Sequence, residues 1–166
     1  GRASVGVRGI KISKDDLVIS LAILNNVNFD VEERNEYLRI SSAERKNEKV
    51  SSNEKIQMFR ENEEFILSVT DKGFGKRSSA YEYRKTRRGG VGIANMQLTE
   101  RNGNEVVASF EIKNTDQLML MTDRGKLIRC PVNDIRIAGR QTQGVTLFNI
   151  SDEEKVVSVA KLEEHE

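Results

Sequence analysis

Over most of this chain the apolar positions fall in short runs rather than at helical spacing. Phe65 to Val69, Val106 to Ile112, Leu118 to Met121, Val145 to Ile150 and Val156 to Leu162 are rich in β-branched and bulky residues, with Gly, Asp or Asn nearby. Runs of this kind predict strands. Val7 to Ile12, Leu17 to Leu21 and Ile93 to Leu98 read the same way, and Lys126 to Arg129 reads as the return from Leu118 to Met121. Asp71-Lys-Gly73 and Asp123-Arg-Gly125 predict three-residue hairpin loops in which glycine takes positive φ, and Asn102-Gly103 predicts a further hairpin. Tyr81 and Tyr83 flank Glu82 as on a strand with one packed face.

Between Asn25 and Glu63 the pattern changes. Apolar residues become sparse, Asn, Ser, Glu and Lys dominate, and Ser41-x-x-Glu44 and Ser51-x-x-Glu54 have capping-box spacing. Ile56 and Phe59 then share a helix face. The segment reads as two short inserted helices, Val31 to Ile40 and Asn53 to Asn62, outside the strand core; the competing reading is a polar loop.

The strand segments repeat. Asp71, Lys72, Gly73, Arg88, Gly92 and Ile93 match Asp123, Arg124, Gly125, Arg140, Gly144 and Val145 at a constant offset of 52 residues. Arg2-x-x-x-Gly6-Val7 repeats the R-x-x-x-G-[VI] spacing a third time. A period near fifty residues with about four strands per period predicts an all-β, propeller-like array of four-stranded blades with a short helical insertion. Residues 1–24 read as the end of a preceding blade, 25–63 as the insertion, 64–117 as a blade, and 118–166 as the last blade and an acidic tail. The chain opens inside a repeat without an initiator Met, as expected of a piece of a longer polypeptide.

Charge adds a location. The chain has 27 basic and 26 acidic residues, a formal net charge of +1, so only their distribution can point to a partner. Between residues 72 and 88, seven cations face one carboxylate, whereas Asp152 to Glu166 holds six acids and two lysines. Cations recurring on equivalent turns of stacked blades form a rim suited to a polyanion: Lys72, Lys76, Arg77, Arg84, Lys85, Arg87 and Arg88, continued by Arg124, Lys126, Arg129 and Arg140. Few aromatic or amide side chains accompany them, which points to phosphate contact without base readout.

Catalysis finds no residue set. The sole histidine, His165, is next to last, so triads and His-rich metal sites are excluded, and Cys130, the one cysteine, sits in a strand-like run as a small hydrophobe. One cysteine forms no internal disulfide, and no apolar run approaches membrane-spanning length or forms a signal segment, so a reducing, cytoplasmic setting without a membrane is expected. Gly89-Gly90-Val91-Gly92 lacks the Lys-Ser/Thr pair and helix of a P-loop.

Phe65 to Arg84, Arg87-Arg-Gly-Gly-Val-Gly92 and Asp134-Ile-Arg-Ile-Ala-Gly-Arg-Gln-Thr-Gln-Gly-Val145 resemble blades of the C-terminal domain of the A subunit of bacterial DNA gyrase. The resemblance covers about 1–24 and 64–162 and is most specific at 134–145. It implies a β-pinwheel, a propeller-like disc whose blades exchange a strand and whose basic rim binds and wraps duplex DNA without sequence preference. It further implies a parent enzyme, an ATP-dependent type II topoisomerase that supercoils DNA, in which the rest of the A subunit and the B subunit form a heterotetramer. ATP and Mg would act there, while this chain needs no cofactor. The family's Q-R-R-G-G-K-G box is matched only in part, since Thr86 precedes Arg87 and Val91 replaces the lysine. The alternatives are the C-terminal domain of the topoisomerase IV A subunit and a protein-binding propeller, which would show blade-periodic tryptophans absent here.

Overall fold

The computed structural model describes residues 1–25, 27–46 and 53–163. Two helices, α1 (Val31–Glu44) and α2 (Glu54–Glu61), precede seven strands: β1 (Phe65–Thr70), β2 (Phe74–Ser79), β3 (Val106–Ile112), β4 (Gln117–Thr122), β5 (Leu127–Pro131), β6 (Val145–Thr146) and β7 (Val156–Leu162). They form two antiparallel sheets, ordered β3-β1-β2-β6 and β5-β4-β7. Phe65 opposes Ser79 and Ile112 in the first, and Gln117 opposes Pro131 and Leu162 in the second. The ladders slip at Val69/Thr70 and again at Met121/Thr122. The offset of 52 residues is thus a repeat of register.

A Thr-Asp-x-Gly corner closes each hairpin with the same bonds. Buried Thr70 accepts from Phe74 N at 3.2 Å and donates to the Asn102 carbonyl, while Thr122 accepts from Lys126 N at 3.1 Å and donates to Glu154. Threonine suits the position because one hydroxyl can do both. Asp71 Oδ1 accepts from Asn104 N, as Asp123 Oδ1 accepts from Lys155 N, each at 3.0 Å. Gly73 and Gly125 take φ of +75° and +79°, the left-handed conformation that side chains disfavour. Glu154, 1% exposed, also bonds Lys126 Nζ at 2.6 Å. The Lys126 ammonium, and after it the Thr122 hydroxyl, holds the Glu154 carboxyl down at about 2.

β6 belongs by sequence to the second repeat but pairs with β2 of the first, Gly75 opposing Val145 and Phe74 opposing Thr146. The blades therefore exchange a strand. Leu67, Val69, Ala108 and Ile112 of one sheet and Leu118, Leu120 and Val156 of the other share a core with Val132 and Ile135.

Several predicted strands are not formed. Val7 to Ile12 and Leu17 to Leu21 are exposed and irregular, without a ladder, and Ile93 to Leu98 enters no sheet. By the repeat offset Ile93 corresponds to Val145, whose strand joins the preceding blade; residues 1–25 form no sheet, so 93–98 has no edge to join. The Val145 to Ile150 strand shortens to β6. The Asn102-Gly103 turn is present, closed by one bridge between Thr99 and Gly103.

The insertion forms two helices with different caps from those expected. Asp30 and Glu33 make the capping box of α1, with Glu33 N donating to Asp30 at 2.9 Å and Asp30 N to Glu33 at 3.0 Å. Ser41 lies in the last turn, because the helix has already started there. Asn53 caps α2 through Lys55 N at 2.9 Å. Ser51, of the second expected box, falls outside the described residues, as does His165. Tyr81 is not on a strand but in a 3₁₀ turn, Ala80–Glu82. Its ring meets Phe29, Tyr37 and Phe59, in a four-ring cluster with centroids 5.1 to 6.1 Å apart. Such pairs add to area burial, and this cluster fastens the insertion to the blade.

The corners generate two predictions. Gly125→Ala puts a methyl in open space and pays only for its φ, about 1 kcal/mol by chemical denaturation, whereas at Gly73 a Cβ meets the Phe148 carbonyl and the loss should be at least about 3 kcal/mol. Equal losses would refute this account of the two turns. A depressed carboxylate stabilises the fold above its unfolded value of 4.5 and loses that contribution as pH falls toward about 2. Glu154→Gln should therefore remove part of the acid-side slope in a pH series of unfolding curves.

Candidate nucleic-acid interface

β2 is the interior strand between β1 and β6, and five of its six residues are buried. Any cation on it must find partners inside. Lys76 Nζ donates to Gly139 O at 2.8 Å and to Arg140 O. Burial pushes its ammonium down to about 8, with Glu82 opposing that shift. Arg77 Nε donates to Ile135 O at 2.7 Å, Nη2 to Asn133 O at 3.3 Å and Nη1 to Asn114 Oδ1. Its backbone continues the junction, with Arg77 N donating to Arg136 O at 3.0 Å and Ala138 N to Arg77 O at 2.8 Å. Lys76 and Arg77, expected on the rim, are instead inside the junction between repeats. The signal was their place on a strand covered on both faces.

The other expected cations lie nearer the surface, and five of them reach a neighbouring acceptor. Lys72 reaches Glu100 O at 2.6 Å, Arg124 pairs with Glu153 at 2.9 Å, Lys126 with Glu154, and Arg129 Nε donates to Gln117 at 2.7 Å. Arg140 donates its guanidinium to Ala94 O and its N–H to Glu82 at 2.6 Å. The acids at 153 and 154 thus compensate the second repeat's turn. Arg84, Lys85, Arg87 and Arg88 are exposed in the loop after β2. Of the eleven expected residues, these four form a continuous exposed group.

This loop has a neighbour that the repeat pattern did not reveal. Gly89 N donates to Gly9 O and Lys11 N to Gly90 O, both at 2.8 Å. Arg8 and Lys11, both exposed, are thereby carried beside Arg87 and Arg88. The Arg8-Gly9 pair next to the Arg2–Val7 turn was the available signal. The arrangement combines clustered cations with glycines whose missing side chains leave the backbone open to approach, suited to phosphate oxygens.

Reactive groups are few. Burial pushes the Cys130 thiol up, with Asp134 adding to it, so it carries little thiolate. Burial likewise pushes the Tyr81 and Tyr83 phenols up to about 12. Among the described residues, no three His, Cys, Asp or Glu side chains gather to hold a metal, and no helix is long and apolar enough to cross a membrane.

Replacing Arg77 by Met should cost about 1–3 kcal/mol in unfolding free energy, because it leaves the buried Ile135 carbonyl without its donor and removes the bonds to the half-buried acceptors on Asn114 and Asn133. The same variant should keep the salt dependence of any polyanion binding shown by the parent chain, which separates its role from that of the exposed loop.

Residues 1–25, 64–112 and 116–163 match the family described as DNA gyrase C-terminal domain, beta-propeller, and the largest unmatched block is the helical insertion. The DNA gyrase A subunit of Granulibacter bethesdensis is 46% identical over 182 residues, an alignment covering 96% of this chain and 19% of that protein. The chain therefore spans about a fifth of the length of such relatives. A solved DNA gyrase A C-terminal domain superposes with TM-score 0.55 at 24% identity, over 58% of this chain and 33% of the other. A solved C-terminal domain of DNA topoisomerase IV gives the same TM-score, 0.55, at 24% identity over 60% and 31%. The chain belongs to the DNA gyrase C-terminal domain family and has its β-propeller fold.

Proposed function

We propose that this chain binds duplex DNA through its phosphate backbone, without base readout, and serves as part of the DNA-wrapping arm of a gyrase A subunit. The observation that carries the reading is the loop Arg84 to Gly90, held against Gly9 to Lys11 by two backbone bonds so that Arg8, Lys11, Arg87 and Arg88 share one exposed surface. Phosphate contacts of this kind position a duplex without reading it. Bending the duplex costs on the order of 1–6 kcal/mol, which further contacts around the disc must offset.

In this reading the chain works in the cytoplasm beside the rest of the A subunit and the B subunit, as a heterotetramer. ATP, Mg and strand cleavage belong to those other parts, and the arm contributes by holding a DNA segment for passage during supercoiling. The gyrase reading is preferred over topoisomerase IV because the matching family and the Granulibacter relative are gyrase sequences.

The test is equilibrium binding to unrelated duplexes of about forty base pairs across a salt series. Affinity should fall steeply with salt and be indifferent to sequence. Arg87→Ala with Arg88→Ala should lower the logarithmic salt slope by about two, one for each phosphate no longer neutralised. An unchanged slope would remove the loop from the interface, and capture of a protein ligand with no DNA binding would favour a scaffold instead.

A further inference from the structure

We infer that the cleft between the C-terminal end of α1 and the 133–145 segment is a second phosphate-binding site for the same duplex, with Arg39 and Arg136 as its contacts. This rests on the reading of the chain as a duplex-binding arm, and it gives the helical insertion a role in that arm.

The cleft has a volume of about 790 Å³ and is lined by six cationic residues and two carboxylates. Its floor is formed by Lys76 and Arg77, whose donors are taken by carbonyls and Asn114. Arg45 is also committed, since Nη2 bonds both Glu63 oxygens at 3.0 and 2.9 Å and its guanidinium lies 5.6 Å from the Phe65 ring centroid. Arg39 and Lys46 on one wall and Arg136 on the other are exposed, and among the described residues no carboxylate pairs with them. Glu82 already accepts from Arg140 N, which leaves Asp134 as the one uncommitted acid of the lining. The negative end of the α1 dipole would oppose an anion, but its effect is confined to the last turn. Arg45 and Lys46 follow immediately there.

Two features single out a duplex as the occupant. The cleft wall includes Gly139 and Thr142, on either side of Arg140, whose guanidinium reaches Ala94 just beyond the Arg87–Gly92 loop. Cationic surface therefore runs from that loop to the insertion. In addition, the four-ring aromatic cluster fixes α1 on the blade, so the backbone positions that carry Arg39 and Arg136 are set on the two walls of the cleft before any ligand arrives. Such preorganisation lowers the cost of binding.

The test uses the chain with duplexes of about forty base pairs, measuring affinity across a salt series. Arg39→Ala with Arg136→Ala should lower the slope by about two and weaken binding roughly tenfold at low salt. Arg39→Lys with Arg136→Lys keeps both charges and should retain most of the slope and the affinity. Lys113→Ala, an exposed control away from the cleft, should change neither. Both substituted residues are exposed, so thermal unfolding of the variants should match the parent. If the double alanine variant binds like the parent while Arg88→Ala still lowers the slope, the cleft site is overturned and the loop reading stands. If the parent shows no salt-dependent duplex binding, both fall together.

Discussion

Arg77 sits on an interior strand, only 5% exposed, and a guanidinium there needs acceptors for its fork of N–H groups. The 133–135 segment supplies two carbonyls, and Asn114 supplies a third acceptor. That solution fixes more than the side chain. The segment bound by Arg77 links β5 to β6, so the same bonds aim the chain back toward the first sheet and deliver β6 to the edge of β2. Two residues of ladder are too few to hold one repeat on another. The buried cations, the parallel bridge between Arg77 and Ile137 and the shared apolar core do that together.

The repeat was legible in the sequence because its corners are chemically demanding. A threonine that must donate and accept at once, an aspartate that must catch the returning N–H, and a glycine at positive φ recur at 70–73 and 122–125 because few other residues can stand there. Strand positions were less legible where pairing decides them. Ile93 to Leu98 has the composition of a strand, as does its counterpart beginning at Val145, but only the latter finds an edge. A strand is a property of two segments, and one segment's sequence carries half of it. The capping boxes show a related ambiguity: Ser41-x-x-Glu44 fits the rule, but Asp30 and Glu33 had already opened the helix upstream.

The candidate site was legible as a neighbourhood and less so residue by residue. The density of cations between 72 and 88 marked the region, and Arg84, Lys85, Arg87 and Arg88 do lie exposed in it. Lys76 and Arg77 sit in the same run but point into the junction, since counting charges does not distinguish a loop from an interior strand. Arg8 and Lys11 were overlooked for the opposite reason: their approach to Gly89 and Gly90 is a tertiary fact, spread over about eighty residues of chain. Tyr81 was misplaced because an alternating triplet looks the same in a strand and in a 3₁₀ turn, until an aromatic cluster with Phe29, Tyr37 and Phe59 claims one ring.

The exchanged strand has a kinetic side. Gly75 waits for Val145, seventy positions later, before the first sheet has its fourth strand. Many repeat arrays fold as nearly independent units that add neighbour by neighbour. Here the earlier blade is left with an open edge until the later one has emerged and found it, so long-range loop closure sits on the folding path. During synthesis that unpaired β2 edge is a sticky intermediate. The wait also makes the two blades report on one another: damage in the second repeat loosens the first, and the pair melts as one cooperative body.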